Sequence, residues 1–283
     1  MWKKRSVYYA VNILIFIFSA LWIINYYGNI QIPFAEWITP AFCITVCSVI
    51  LVHLLKSIRL YFALLGNKIS LITYWKQYCK VTPLCMMLPL KVGEIFRMYC
   101  YAYQIGNFWR GMLIVLMDRF MDTMALVTVI FVLWMIRGVT FSTLFLVLFA
   151  FVFCVIFFYL IFPSIYHYWK TYLLKSKASH RKIWALKALT YFHNIYIEVK
   201  NVVYGKGSIL YLLSLTSWIV EIGSLKLLNP LKNDMLMIEY LNAALKGTEF
   251  ILLQQFVFAS TCVMLAAYCI LWVAAKHTEK EVK

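Results

Sequence analysis

An all-α polytopic membrane protein is the fold class this sequence predicts, and three observations carry that prediction. Of its 283 residues, 64% are hydrophobic and only 13% charged, whereas a soluble domain is typically about 45–50% apolar and about 25% charged. The apolar residues cluster in runs of about 20, the length that carries a helix across a hydrocarbon core roughly 30 Å thick. The Lys and Arg residues fall between these runs instead of forming one basic module. The net charge of +16 therefore reads as orientation and attraction to anionic headgroups, and no nucleic-acid partner is expected.

The elements follow in order. Residues 7–27 form the first span behind Lys3, Lys4 and Arg5. The basic start resembles a signal peptide, but no small-residue cleavage site follows within reach, so the span is expected to stay uncleaved. The linker 28–36 has no Lys or Arg. The second span, 37–55, is expected to continue as helix through Lys56 and Arg59 to Leu65, where Gly66 and Asn67 stop it. Residues 81–90 are apolar but too short to cross, and they contain Pro83 and Pro89. A re-entrant loop over 81–97 fits them, provided its backbone is buried in protein or faces water.

The third span, 111–136, carries Asp118, Arg119 and Asp122 in its first half. After a turn at Arg137 and Gly138, the fourth covers 139–162 and is expected to end at Pro163. Residues 166–206 are strongly basic, and 183–204 mix aromatic and aliphatic residues with Lys and His, as in a helix lying along the interface or a solvated connector. The fifth span, 208–228, holds Glu221 and Lys226; 229–248 suits a second partial insertion; 250–275 is the sixth span. The whole is one integral membrane domain, with a first half (1–165), a basic segment (166–206) and a shortened second half (207–283).

Charge placement sets the expected orientation. The N-terminus holds three Lys and Arg, residues 56–110 eight, residues 170–206 eight and the tail three, against Arg137, Lys232 and Lys246 in the opposite linkers. That asymmetry predicts both termini in the cytoplasm.

Charge within a span costs several kcal/mol, by estimates from roughly 2.5 to above 10, and marks function by default. Asp118 and Asp122 are four apart and share a helix face; Arg119 precedes Asp122 by three, and Glu94 precedes Arg97 by three. Two such pairs beside a re-entrant loop can line a polar cavity open to the cytoplasm that holds a zwitterionic or anionic headgroup. Arg would contact phosphate bidentately, and the acids would hold an amine or orient the guanidinium groups. The same charges can also neutralise one another and pin helix packing. Arg59, at a helix end, reads first as a side chain snorkelling to the headgroups and second as a site residue. Glu221 is a lone intramembrane acid, with Lys226 too far round the helix to pair simply, so it should face the interior. Tyr99, Tyr101, Tyr103 and Trp109 read as interface anchors and packing.

The eight cysteines form no C-x-x-C, and the five histidines no H-x-x-x-H. Packing is the reading for these thiols; no metal site, disulfide framework or cofactor is expected.

The run L-P-x-K-x-G-E-x-x-R from Leu88 to Arg97, followed by D-R-F-x-D from Asp118 to Asp122, resembles the integral membrane domain of the lysylphosphatidylglycerol synthase/flippase-like family. That family commonly shows L-P-x-x-x-G-E-x-x-R and then E-R-x-x-D; Asp118 stands where Glu is common, and Arg59 matches an Arg that often ends the second span. The resemblance implies an all-helical fold with re-entrant elements and pseudo-symmetry, and a lipid translocase that moves aminoacylated phosphatidylglycerol between leaflets or is tied to hopanoids, glycolipids or polyprenyl-linked glycans. The family's Pro-Gly-Gly loop in the second half has no match, although Leu245 to Glu249 is similar to Leu90 to Glu94, so that Glu249 joins the candidate site as an inverted-repeat counterpart. No counterpart of the family's soluble aminoacyl-transfer domain is found, so any lysyl transfer is expected to need another protein.

The expected function is thus a flippase-like protein of the bacterial cytoplasmic membrane. It would act on membrane lipids in envelope biogenesis, with Glu94, Arg97, Asp118, Arg119, Asp122, Arg59 and Glu249 binding the substrate. No nucleotide-binding loop is present, so movement would be passive or driven by an ion gradient. Association with an envelope-synthesis enzyme and oligomerisation are both compatible with it. Two alternatives are a polytopic enzyme of envelope glycan synthesis, against which Glu36 alone stands in the first external loop, and a non-transporting accessory subunit.

Overall fold

The computed structural model describes residues 5–27, 40–67, 69–87, 92–137, 143–175, 179–228, 240 and 251–281. These residues contain nine α-helices and no strand: α1 (Arg5–Tyr27), α2 (Pro40–Leu64), α3 (Leu71–Met87), α4 (Val92–Ile105), α5 (Phe108–Arg137), α6 (Thr143–Lys175), α7 (His180–Val203), α8 (Gly207–Leu228) and α9 (Ile251–Glu281). Five contain stretches long and apolar enough to cross a bilayer: Cys43–Leu64, Phe108–Ile136, Phe145–Lys175, Gly207–Ser224 and Gln255–Ala274. The first expected span is the 23-residue α1, whose apolar stretch is the shorter Ser6–Leu21. The protein is an all-helical, multi-pass membrane protein. Residues 229–239 and 241–250, which hold the expected second insertion and Glu249, lie outside the described residues.

The packing centre is the pair α2 and α8, joined by α5. α2 and α8 run antiparallel: Lys206 Nζ, just before α8, donates to the Leu65 carbonyl just past α2 (3.1 Å). Leu60, Tyr74, Tyr78, Tyr101, Ile114 and Leu210 form the main core. Ala125, Ile130, Phe145 and Trp218 form a second one where α5, α6 and α8 meet. The outward faces are apolar as well, with Leu146, Phe153, Phe158 and Leu160 exposed along α6, as lipid solvent requires.

The segment 81–97, expected as a re-entrant hairpin rather than a span, belongs to two short helices that form a hairpin. α3 and α4 have 17 and 14 residues, short of the roughly 20 needed to cross. They fold back antiparallel: Gly93 packs on Cys85, the Arg97 guanidinium lies 6.0 Å from the Tyr78 ring centre, and the Tyr101 and Tyr74 rings are 6.4 Å apart. Residues 81–87 complete the helix begun at Leu71, because helical periodicity runs through Lys76 and Lys80 into the apolar stretch; Pro83 sits inside it. Residues 88–91, between the two helices in sequence, lie outside the described residues.

Two glycines set how closely α4 sits. A Cβ at Gly93 would fall 2.4 Å from Cys85 Cα and 2.9 Å from the Leu84 carbonyl oxygen, and one at Gly111 would fall 2.4 Å from Ala102 Cα. α4 is therefore clamped between α3 and α5 by backbone-to-backbone contact that no other residue allows.

Pro163 does not end the fourth span; α6 continues through it to Lys175. α7 folds back along this extension, with Tyr196 5.1 Å from Phe162 and His193 3.8 Å from Tyr166, ring centre to ring centre. Packing against a neighbouring helix is the setting in which a membrane helix keeps an internal proline. α7 also meets α5 through Arg110 and Glu198 (3.8 Å), so it is packed against two helices rather than being a free connector.

A helix-packing prediction follows from the glycines. Gly93→Ala or Gly111→Ala should each lower stability by about 1–3 kcal/mol through overpacking. Gly223→Ala, in α8 with nothing within 4 Å of its added Cβ, should leave stability unchanged or raise it by about 0.4–1 kcal/mol. Thermal melts in detergent check both signs.

Candidate functional site: a buried charge network

Four helices deliver the charged side chains to one place. α2 brings Lys56 and Arg59, the first turns of α4 bring Glu94 and Arg97, α5 brings Asp118, Arg119 and Asp122, and α8 brings Ser214, Trp218 and Glu221. The four-residue step from Asp118 to Asp122 points both carboxylates at α2.

Arg59 is the hub. Its Nε donates to Asp118 Oδ1 at 2.7 Å, and its Nη1 donates to Asp122 Oδ1 at 2.6 Å and to Ser214 Oγ at 2.7 Å. The second oxygen of Asp118 accepts from Arg97 Nη2 at 3.5 Å, so one carboxylate joins guanidinium groups from α2 and α4. Arg119 Nε donates to Glu94 Oε2 at 3.0 Å. Two looser contacts close the circuit, Arg97 to Glu94 and Arg119 to Asp122, both at 4.0 Å. Trp218 Nε1 donates to the Asp122 carbonyl at 3.3 Å.

Burial is graded along this chain. Arg59, Arg97 and Asp118 are 1%, 2% and 1% exposed, while the Arg119 side chain is 37% exposed. Burial alone would push the Arg97 guanidinium down, but the carboxylates of Asp118 and Glu94 outweigh it, and the net direction is up. It stays charged.

A second pair adjoins the first. Lys56 Nζ lies 3.3 Å from Glu221 Oε2 and 5.3 Å from the Trp218 ring centre, and Tyr240 OH donates to Glu221 Oε1 at 2.5 Å. Lys56, Arg59, Arg97 and Arg119 thus face Glu94, Asp118, Asp122 and Glu221, cation for anion. A balanced set is what a low-dielectric interior tolerates.

The structure brings together six of the seven expected site residues, and the seventh, Glu249, lies outside the described residues. Two expectations need correction. Arg59 does not snorkel to headgroups; it is fully enclosed, because two carboxylates and a serine on neighbouring helices satisfy it. Glu221 faces the interior as expected, but it is not a lone acid, since α2 supplies Lys56. The local i,i+3 pairs foreseen from spacing are the long contacts here, and the short ones all run between helices.

A shell of polar groups went unforeseen. Tyr74 OH donates to the Ser57 carbonyl at 2.5 Å, and Tyr78 OH lies 3.4 Å from His53 Nδ1. His53 Nε2, Ser57 Oγ and Tyr101 OH are buried with no hydrogen-bond partner among the described residues. The helical spacing of Tyr74 and Tyr78 was the available sign. Among the described residues no group of His, Cys, Asp and Glu could hold a metal ion, and burial pushes the Cys79 thiol up to about 11, which leaves it unreactive. No protein-family model, curated protein or solved structure matches the chain.

Arg59→Met leaves the buried network one cation short, with Asp118 retaining Arg97 at 3.5 Å and Asp122 the looser Arg119 at 4.0 Å, and should cost about 3–5 kcal/mol. Arg119→Gln, at the exposed rim, should cost no more than about 1 kcal/mol. Unfolding of the purified variants against a denaturing detergent distinguishes the two.

Proposed function

We propose that this chain is a flippase-like protein that admits a phosphate-bearing lipid headgroup, on a phospholipid or a lipid-linked glycan, from the cytoplasmic leaflet of a bacterial membrane. The single observation that carries the reading is the gradient of ion pairing, from partly exposed Arg119 and Glu94 to enclosed Arg59, Arg97 and Asp118. At the rim each charge already has a second partner within reach. Glu94 lies 3.0 Å from Arg119 and 4.0 Å from Arg97, and Arg119 lies 4.0 Å from Asp122. A headgroup phosphate can take the Arg119 guanidinium bidentately while Glu94 shifts to Arg97, so no charge is left bare during the exchange. An amine on the same headgroup would find Glu94 or Asp122. The distribution of Lys and Arg supports an orientation with both termini inside, and the sequence motifs of α4 and α5 support a place in envelope lipid or polysaccharide biogenesis.

The short internal contacts of Arg59 with Asp118, Asp122 and Ser214 favour a second reading, an accessory membrane subunit in which the network only fixes packing. Reconstitution separates the two. In proteoliposomes, wild type should move a fluorescent phospholipid between leaflets. Glu94→Gln and Arg119→Gln should each slow it by about tenfold, the equivalent of roughly 1.4 kcal/mol, with unfolding unchanged. Flux equal in both variants and wild type would remove the rim from the mechanism; no flux in wild type would leave the accessory reading.

A further inference from the structure

We infer that the apolar groove between α2, α3 and α9 seats one acyl chain of an anionic phospholipid. The groove is about 420 Å³ in volume and is lined by Ile50 and Leu54 of α2, Trp75 and Cys79 of α3, and Met264 and Leu271 of α9, among others. On α2 and α3 the lining residues are one turn apart, so the groove follows the helix axes. Along α9 it spans Val263 to Leu271, about 12 Å at roughly 1.5 Å per residue. That is close to the depth of one leaflet, half of a roughly 30 Å core.

Its chemistry restricts the occupant. Water held in protein needs two to four polar partners, and the lining offers only the Cys79 thiol. A protein helix is about 10–12 Å across with its side chains and is too wide for this volume. A single hydrocarbon chain fits both limits, and α2 and α9, which flank the groove, are spans that lipid surrounds. Trp75 and Leu271 mark one end of it. Lys76 adjoins Trp75, and α3 carries no acidic residue, so a headgroup at that end meets the positive charge of Lys76; Lys80 faces α1, where it meets Asn12 and the Tyr8 ring. Inward, the sequence neighbours of Leu54 and Cys79 are His53 and Tyr78, and the Tyr78 ring lies beneath Arg97. The tail site therefore shares a wall with the charge network. The inference adds a tail subsite to the lipid-handling reading, and the site can exist even if no headgroup moves.

The test is native mass spectrometry of the full chain in mild detergent with phosphatidylglycerol and phosphatidylcholine added in equal amounts. Wild type should carry one phosphatidylglycerol in preference to phosphatidylcholine. Ala267→Trp, on the lining, should reduce that adduct by about tenfold, equivalent to roughly 1.4 kcal/mol, and the smaller Ala267→Leu should reduce it partially. Ala266→Trp, on the exposed neighbour, should retain it. Equal retention in Ala267→Trp and wild type, absence of lipid from wild type, or a dimer in place of the lipid adduct would each overturn the assignment; equal binding of the two lipids would overturn its anionic part. Lipid movement measured on the same preparations keeps the readings apart, since lost flux with the adduct intact counts against transport alone.

Discussion

Asp118 accepts hydrogen bonds from guanidinium groups on two different helices, and the arrangement of α2, α4 and α5 depends on that one carboxylate. In a solvent that offers no hydrogen bonds, a charge must meet its opposite inside the protein or be expelled. Arg59 and Arg97 are too deeply enclosed to reach water, so the helices that carry them cannot slide past α5 without stranding a charge. The hairpin of α3 and α4 is too short to be held by crossing the bilayer. It is held by Arg97 reaching Asp118, and by two glycines that let α4 approach its neighbours backbone to backbone. Pairing and close packing act on the same short helix from opposite sides.

The network is stiff at its centre and loose at its rim. Around Arg59 the contacts are 2.6–2.7 Å with three acceptors, which engages both Nε and Nη1 inside the protein. Around Glu94 and Arg119 the alternatives lie at 4.0 Å, within a rotamer change of pairing. A site of this kind can exchange partners at its edge while its core keeps the helices registered. The apolar groove beyond Tyr78 and His53 lies on the other side of the same wall, so the charge network and the groove occupy two faces of α3.

How much of this was legible in the sequence depended on the range of the interaction. Membrane class and the span positions were readable because they follow from the local density of apolar residues. That Glu94, Arg97, Asp118 and Asp122 would need partners was readable because charge in an apolar run is costly wherever it lies. Their partners were not. Spacing reports only neighbours on one helix, and it suggested Glu94 with Arg97 and Arg119 with Asp122, the two longest pairs. Arg59 looked like a snorkelling side chain because its carboxylates come from a helix 59 and 63 positions along the chain. Glu221 looked alone because Lys56 is 165 positions away. Pro163 looked like a helix end because its local penalty is visible in sequence, whereas the packing of α7 against this stretch is not.

The central claim is that Arg59 and Asp118 act as one unit across two helices. A double-mutant cycle on unfolding free energy, with Arg59→Met, Asp118→Asn and both together, tests it most directly. The account predicts that the double variant is less destabilised than the sum of the singles by about 2–3 kcal/mol, as for partners in one buried network. Single effects that add to within about 0.5 kcal/mol would mean the two residues stabilise the protein independently, and would contradict it.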